Sequence, residues 1–283
     1  MNYQYISGFS DEISQDIKVQ FEALNRMGIS FFEPRGINGK NISKLTEEEL
    51  YDLKEMMDQY GIRVSSIGSP IGKIRVTDDF EEHFEMFQRM VKATKILGTK
   101  YIRIFSFYPG EDEVWTEEAK NEAFRRLQCM ITYAEKENVV LLHENEKRIY
   151  GDTGERCVEL MERFYGDHFK AIFDPANSVQ VKEDTKKAFE MMKPYISYMH
   201  IKDANLSDGY VVPAGEGDGH VEEILRDLFN NGFEGYLSLE PHLGFFEGLQ
   251  DLELGDKLVI QGDSVEATFA LAYQSLLKIL ERI

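Results

Sequence analysis

The sequence predicts a single (β/α)8 barrel spanning residues 1–283, and three observations carry that expectation. Short apolar runs alternate eight times with amphipathic stretches within 283 residues. Most of those runs are continuous, as in strands buried on both faces. The turn after the first run holds Ser10, Asp11 and Glu12, where a doubly wound open sheet would carry a glycine-rich phosphate loop. No linker, low-complexity tract or shift of composition divides the chain, so one domain is expected.

Tyr5 to Phe9 is the first strand. Ile17, Phe21, Leu24 and Met27 follow at helical spacing, and Gly28 closes that helix. Ile29 to Glu33 is the second strand. Thr46 and Glu49 read as a capping box before the stripe Leu50, Leu53, Met57 and Tyr60, which Gly61 ends. Ile62 to Ile67 is the third strand. Its helix carries Phe84, Phe87, Met90, Val91 and Leu97, with Gly98 behind. Lys100 to Phe107 is the fourth strand, with a long helix from about Trp115 to Asn138. Val139 to His143 and Phe169 to Phe173 are the fifth and sixth strands, each followed by a helix, near Thr153 to Tyr165 and Lys187 to Tyr195. Ile196 to Ile201 is the seventh strand, then Val221 to Asn231 is helical. Gly235 to Glu240 is the eighth strand, and a last helix opened by Asp263 buries Phe269, Tyr273, Leu276 and Leu280. Two long loops, Asp203 to His220 and Pro241 to Gly262, would lie over the mouth.

Composition narrows the function. Apolar residues make up 42% and aromatics 12%, which is globular content rather than disorder. With 51 acidic residues against 32 basic ones, the formal charge is −19, and there is no basic stripe to offset it. Phosphate backbones are held by Lys and Arg, so nucleic acid is not an expected partner. The start, MNYQYISGFSDE, lacks the basic and apolar segments of a signal peptide, and no apolar run reaches the length of a membrane span. Cys129 and Cys157 have no metal-knuckle spacing and read as packing thiols. A cytoplasmic protein is expected.

In a barrel of this kind the site lies at the C-terminal ends of the strands. The fifth strand ends in His143 and Glu144, and the sixth in Asp174. The seventh ends in His200, Lys202 and Asp203, and the eighth in Glu240 and His242. A polar residue thus breaks the apolar run at the same height on four consecutive strands. Alone, each has an ordinary reading: a helix cap, a rim charge or a satisfied core histidine. Together they would bring three carboxylates and an imidazole to the barrel axis, where unpaired charges would repel. A divalent cation removes that repulsion. The donor set suits Mn2+, placed first, or Mg2+, Co2+ or Zn2+.

The motifs LLHENE, FDPAN, HIKDA, PAGEGDG and LSLEPH, in this order, resemble the xylose isomerase-like TIM barrel superfamily, the sugar phosphate isomerase/epimerase group. The resemblance runs from GFSDE near the start to SLEPHL near the end. It implies that Glu144, Asp174, His200 and Glu240 ligate the metal, with Glu144 and Glu240 doubling as an acid/base pair. The chemistry explains the residue types. Moving a proton from the carbon beside a carbonyl needs an electrophile at the oxygen, and a metal supplies it while stabilising an enediolate. One carboxylate takes the proton, and a second on the opposite face returns it with inverted configuration.

Further substrate contacts are expected of six residues. Lys202 shares a face with His200 and either binds substrate or pairs with a site carboxylate. Arg103 interrupts an apolar strand and needs acidic partners. Arg35, Ser66 and His242 are rim candidates, as is Glu216 in the PAGEGDG loop. The expected activity is metal-dependent isomerisation or epimerisation of a small keto-sugar through an enediolate. The alternative is dehydration of a keto-inositol or keto-sugar on the same site. An endonuclease-type phosphodiesterase ranks below both: the family's endonucleases are rich in histidine, whereas this chain has six, and Asn177 stands where their pattern calls for one. A phosphorylated substrate would need a clamp from Lys202, Arg103, Arg35, Lys73 or Arg75, so a neutral keto-sugar or polyol is favoured. Neither nucleic acid nor membrane is an expected partner, and self-association stays open.

Overall fold

The computed structural model describes residues 3–244 and 265–283. Its strands are β1 (Ile6–Gly8), β2 (Phe31–Phe32), a small ribbon β3–β4 (Gly36–Ile37 with Lys40–Asn41) and β5 (Arg63–Val64). β6 (Tyr101–Ile104), β7 (Val140–Glu144), β8 (Phe169–Phe173) and β9 (Ile196–Ile201) follow. A second ribbon, β10–β11 (Asp203–Ala204 with Val211–Val212), precedes β12 (Tyr236–Leu239).

Six strands form one parallel sheet in the order β1-β12-β9-β8-β7-β6, and β2 pairs in parallel with β5. Backbone hydrogen bonds join the two pieces. The Glu33 N–H donates to Gly8 O at 2.9 Å, the Ile67 N–H to Tyr101 O at 2.9 Å and the Arg103 N–H to Ile67 O at 3.0 Å. Eight parallel strands thereby close into a ring, the expected barrel.

Around the ring lie α1 (Ile17–Met27), α2 (Glu47–Tyr60), α3 (Phe80–Leu97), α4 (Glu117–Glu137), α5 (Gly154–Phe164), α6 (Pro175–Gln180), α7 (Thr185–Met192), α8 (Val221–Asn230) and a C-terminal helix, Val265–Arg282. Local chemistry sets their ends. Gly28, Gly61 and Gly98 take φ of 73°, 68° and 78°, the left-handed closure that glycine permits. Thr46 and Glu49 form both bonds of the capping box. None of the described helices is long and apolar enough to cross a membrane.

Strand periodicity then divides the interior. The outward positions Leu141, Phe169, Ala171, Phe173, Met199, Ile201, Leu237 and Leu239 join the large apolar cluster shared with the helices. The inward positions Val140, Leu142, Ile172 and Tyr198, with Tyr101 and Tyr236 against them, plug the lower barrel. One period higher on the same faces stand Arg103, Glu144, Asp174 and His200, and Glu240 stands two periods above Tyr236.

The strand ladders are shorter than the sequence suggests. The third comprises Arg63–Val64 rather than Ile62 to Ile67, although backbone pairing continues past it: the Ser65 N–H donates to Phe32 O at 3.0 Å and Ile67 bridges to β6 at Ile102. The fourth is Tyr101–Ile104 rather than Lys100 to Phe107. A short helix, α6, follows the sixth strand at once, nucleated by Pro175 and by the Asp174 carboxylate accepting the Asn177 N–H at 3.0 Å. Asp263 and most of the loop from Pro241 to Gly262 lie outside the described residues.

Candidate functional site

Four side chains meet where the inward faces of β7, β9 and β12 reach the top, just beyond β8. One ligand atom from each of Glu144, Asp174, His200 and Glu240 lies within 4.8 Å of all the others, and all four residues are buried. His200 turns Nδ1 into the cluster, 2.9 Å from Glu144 Oε1 and 3.6 Å from Glu240 Oε2. Bonds to a divalent cation of about 2.0–2.2 Å would set such donors at most about 4.4 Å apart, so contraction by a few tenths of an ångström closes the set. Three hard oxygens, one imidazole and no thiolate form a donor set that fits a divalent metal.

The cations around the cluster are already engaged. Lys202 Nζ lies 3.0 Å from Asp174 Oδ2 and 3.2 Å from Glu240 Oε2. This is the carboxylate pairing that its place beside His200 allowed. Arg103 Nη1 lies 3.3 Å from Glu144 Oε2 and 3.6 Å from Glu240 Oε1, the acidic partners its buried position demanded. Arg35 binds Asp11 in a fork, at 2.8 and 3.1 Å, and reaches Glu240 Oε1 at 3.2 Å. His242 Nε2 lies 3.5 Å from both Glu12 Oε1 and Glu240 Oε1.

These contacts separate the two glutamates' surroundings. Burial disfavours charge on Glu240, but Lys202 and His242 outweigh it and hold the carboxylate well below its usual range. Burial raises Asp174 to about 6, with Lys202 opposing and Glu144 and Glu240 adding to the rise. Burial also opposes a charged His200, yet Glu144 and Glu33 outweigh it and push the imidazole well above its ordinary value. His242 goes up to about 9, where Glu12 and Glu240 overcome burial.

Other expected residues lie elsewhere. Ser66 is fully buried, and its hydroxyl has no hydrogen-bond partner among the described residues. His143, next to Glu144, faces outward against Gly151 and Cys157. Burial holds its pKa down at about 3. Glu216 is exposed. The glycines around it turn inward: the N–H groups of Gly215, Gly217 and Gly219 donate to the Asp203 carboxylate at 2.8, 3.1 and 2.8 Å. The PAGEGDG loop is therefore an anion nest filled by the chain's own aspartate, which pins the loop beside β9.

Sequence reasoning left three site residues without a role. Glu33, at the end of β2, is fully buried. Its Oε2 accepts from the Tyr198 hydroxyl at 2.7 Å and from Ser238 Oγ at 2.8 Å, and lies 3.3 Å from His200 Nε2. It thus braces the imidazole from behind, leaving Nδ1 for the cluster. Asn145 holds the Asp174 backbone at both N–H and C=O, and Asn177 donates to Glu144 Oε1 at 3.3 Å.

Known proteins agree with this architecture. The D-psicose 3-epimerase of Clostridium cellulolyticum, solved with D-tagatose, superposes with a TM-score of 0.76 at 14% identity, over 98% of each chain. The IOLI protein, solved with a binding zinc atom, gives 0.74 at 18% identity, again over 98% of each. The probable 3-DHS dehydratase AsbF of Bacillus anthracis, involved in petrobactin synthesis, gives 0.72 at 16% identity, over 96% of this chain and 98% of that one. At such identities the likeness concerns the fold. No protein of curated function matches the sequence closely enough to count as a relative. The sequence profile of the xylose isomerase-like TIM barrel family matches residues 21–251, most of the chain, and this protein belongs to that family.

Proposed function

We propose that this chain is a divalent-metal-dependent isomerase or epimerase of a small keto-sugar, working through an enediolate, with Mn2+ as its first-choice metal. The observation that carries the reading is the pair of buried glutamates, Glu144 and Glu240, bracketing His200 Nδ1 at 2.9 and 3.6 Å. Held by Glu144, Asp174, His200 and Glu240, a divalent cation would supply an electrophile at the sugar's carbonyl oxygen and neighbouring hydroxyl. The protein's own part is to place two carboxylates on either side of the reacting carbon. Glu240, kept ionised by Lys202 and His242, is suited to accept a proton. Glu144, which accepts from Asn177 and stands 2.9 Å from His200 Nδ1, would be the other member of the acid/base pair. Arg35, Arg103, His242 and Lys202 ring Glu240 and would orient hydroxyl groups. Because these cations already face carboxylates, the reading favours a neutral sugar at the reaction centre.

The test is proton exchange in D2O with a panel of ketoses. Deuterium should wash into the carbon beside the carbonyl, and Glu144→Gln and Glu240→Gln should each lose that exchange while retaining most of the bound metal. Release of water with growth of an enone or diketone absorbance would favour the dehydratase instead. If no ketose exchanges a proton and none loses water, the proton-abstraction reading fails for this substrate class.

A further inference from the structure

Asp174 and Glu240 each have one carboxylate oxygen committed to protein and one turned to the cluster. Asp174 Oδ1 accepts the Asn177 N–H at 3.0 Å, at the start of α6. That leaves Oδ2, which is buried and accepts no hydrogen bond among the described residues. Glu240 Oε1 faces Arg35 at 3.2 Å, His242 Nε2 at 3.5 Å and Arg103 at 3.6 Å. Its Oε2 is the oxygen on the His200 side, 3.6 Å from Nδ1. A divalent ion held by all four residues of the cluster therefore takes Asp174 Oδ2 and Glu240 Oε2.

Lys202 bridges those same two oxygens. Its Nζ lies 3.0 Å from Asp174 Oδ2 and 3.2 Å from Glu240 Oε2, and the side chain is buried. Of the two contacts, the one to Glu240 is aligned as a hydrogen bond, whereas the one to Asp174 is not. A divalent ion sits about 2.0–2.2 Å from its ligand oxygens, so sharing Asp174 Oδ2 would hold the two cations at most about 5 Å apart. Among buried side chains, like charges at that range repel strongly. Lysine is the partner built to leave: its ammonium is a point charge on a flexible stem, unlike the planar guanidinium forks of Arg35 and Arg103. Another carboxylate lies within its electrostatic reach. Glu146 is buried two residues beyond Glu144, and Lys202 is one of three cations, with Lys73 and Lys147, that outweigh burial there and keep the carboxylate below its usual range.

We infer that Lys202 is an internal competitor for the metal: its ammonium and a divalent ion take the oxygens of Asp174 and Glu240 in turn. Lys202 holds the two carboxylates together until the ion arrives, then turns towards Glu146. This rests on the metal reading of the cluster given above. It also separates two roles for one residue. A lysine that merely supports the ligands would strengthen metal binding, whereas a competitor weakens it, so removing the ammonium has opposite signs in the two cases.

The test is calorimetric titration of chelator-treated protein with Mn2+, wild type against Lys202→Met. Lys202→Met should bind Mn2+ at least about tenfold more tightly, because no ammonium has to be displaced. A second measurement uses the wild type alone and does not depend on the variant folding without metal. In a crystal of the Mn2+-loaded protein, with the ion located by its anomalous scattering, Lys202 Nζ should stand beyond the about 4 Å of an ion pair from Asp174 Oδ2. Equal or weaker Mn2+ affinity in Lys202→Met overturns the inference, as does an ion at the cluster with Lys202 still bridging both oxygens. Either result leaves the metal reading standing. Wild type and Lys202→Met that both fail to bind Mn2+ would sink the metal reading itself, and the exchange with it.

Discussion

Glu33→Gln isolates the brace behind the candidate metal ligand. The substitution conserves volume and keeps an oxygen that can accept from Tyr198 and Ser238, now 2.7 and 2.8 Å from Glu33 Oε2. What it removes is a negative charge 3.3 Å from His200 Nε2. Full unit charges at that distance would interact by about 5 kcal/mol at an effective dielectric near 20. A metal-bound imidazole carries only part of a positive charge, so a fraction of that figure is at stake. Carboxylates placed behind metal-ligating histidines are worth about 10–100-fold in metal affinity, or about 1.4–2.7 kcal/mol, which agrees with that fraction.

The assay is calorimetric titration of chelator-treated protein with Mn2+, wild type against Glu33→Gln, with thermal unfolding run alongside to show that both are folded. His200→Ala serves as the reference for losing a ligand outright, and it should be the more damaging change. Unaltered Mn2+ affinity in Glu33→Gln would refute the bracing role. A loss equal to that of His200→Ala would also refute it, by making Glu33 a ligand itself.

Lys202→Met removes the ammonium lying between Asp174 and Glu240 and leaves two buried carboxylates poorly compensated; with chelator present, urea unfolding should show a loss of about 3–5 kcal/mol, partly recovered by excess divalent cation. His242 gives a pH signature whose sign is fixed. Its folded pKa of about 9 lies above the unfolded value of about 6.5, so its stabilising contribution is complete below about pH 6.5 and is lost as pH rises towards 9. In His242→Asn, chosen because Asn tolerates the φ of 46° at this position, that part of the decline in urea stability between neutral pH and pH 9 should vanish, and an unchanged pH profile would contradict the assignment.

The barrel was legible because its signals are local. Glycines in left-handed closures, a capping box and continuous apolar runs each act within one βα unit, and period-two geometry carries Val140 and Leu142 up to Glu144 without further information. Arg103 was legible for the same reason: a lone cation inside an apolar strand can be satisfied only by acidic neighbours. The misleading segments are those where backbone groups take partners that the pattern does not show. After Val64 the chain changes partner, with Ser65 bonding Phe32 O and Ile67 bonding Tyr101 O, so the run that hydrophobicity extends to Ile67 is not one continuous ladder. In the PAGEGDG loop the glycines suggest a ligand, but their N–H groups are spent on Asp203, which leaves Glu216 at the surface.

Glu33 shows what a rule applied unevenly costs. Its partners Tyr198 and Ser238 are 165 and 205 residues away, so nothing nearby in the chain marks it as more than a rim charge. Yet the same criterion that selected Glu144 and Glu240, a carboxylate ending an apolar strand, holds at Phe31-Phe32-Glu33. Because a closed barrel points its strand ends towards one axis, a fourth carboxylate at that height has two outcomes: it joins the ligand set, or it must find donors of its own. Tyr198 and Ser238 are those donors, and the imidazole they help Glu33 to brace connects the lower apolar plug to the candidate metal site.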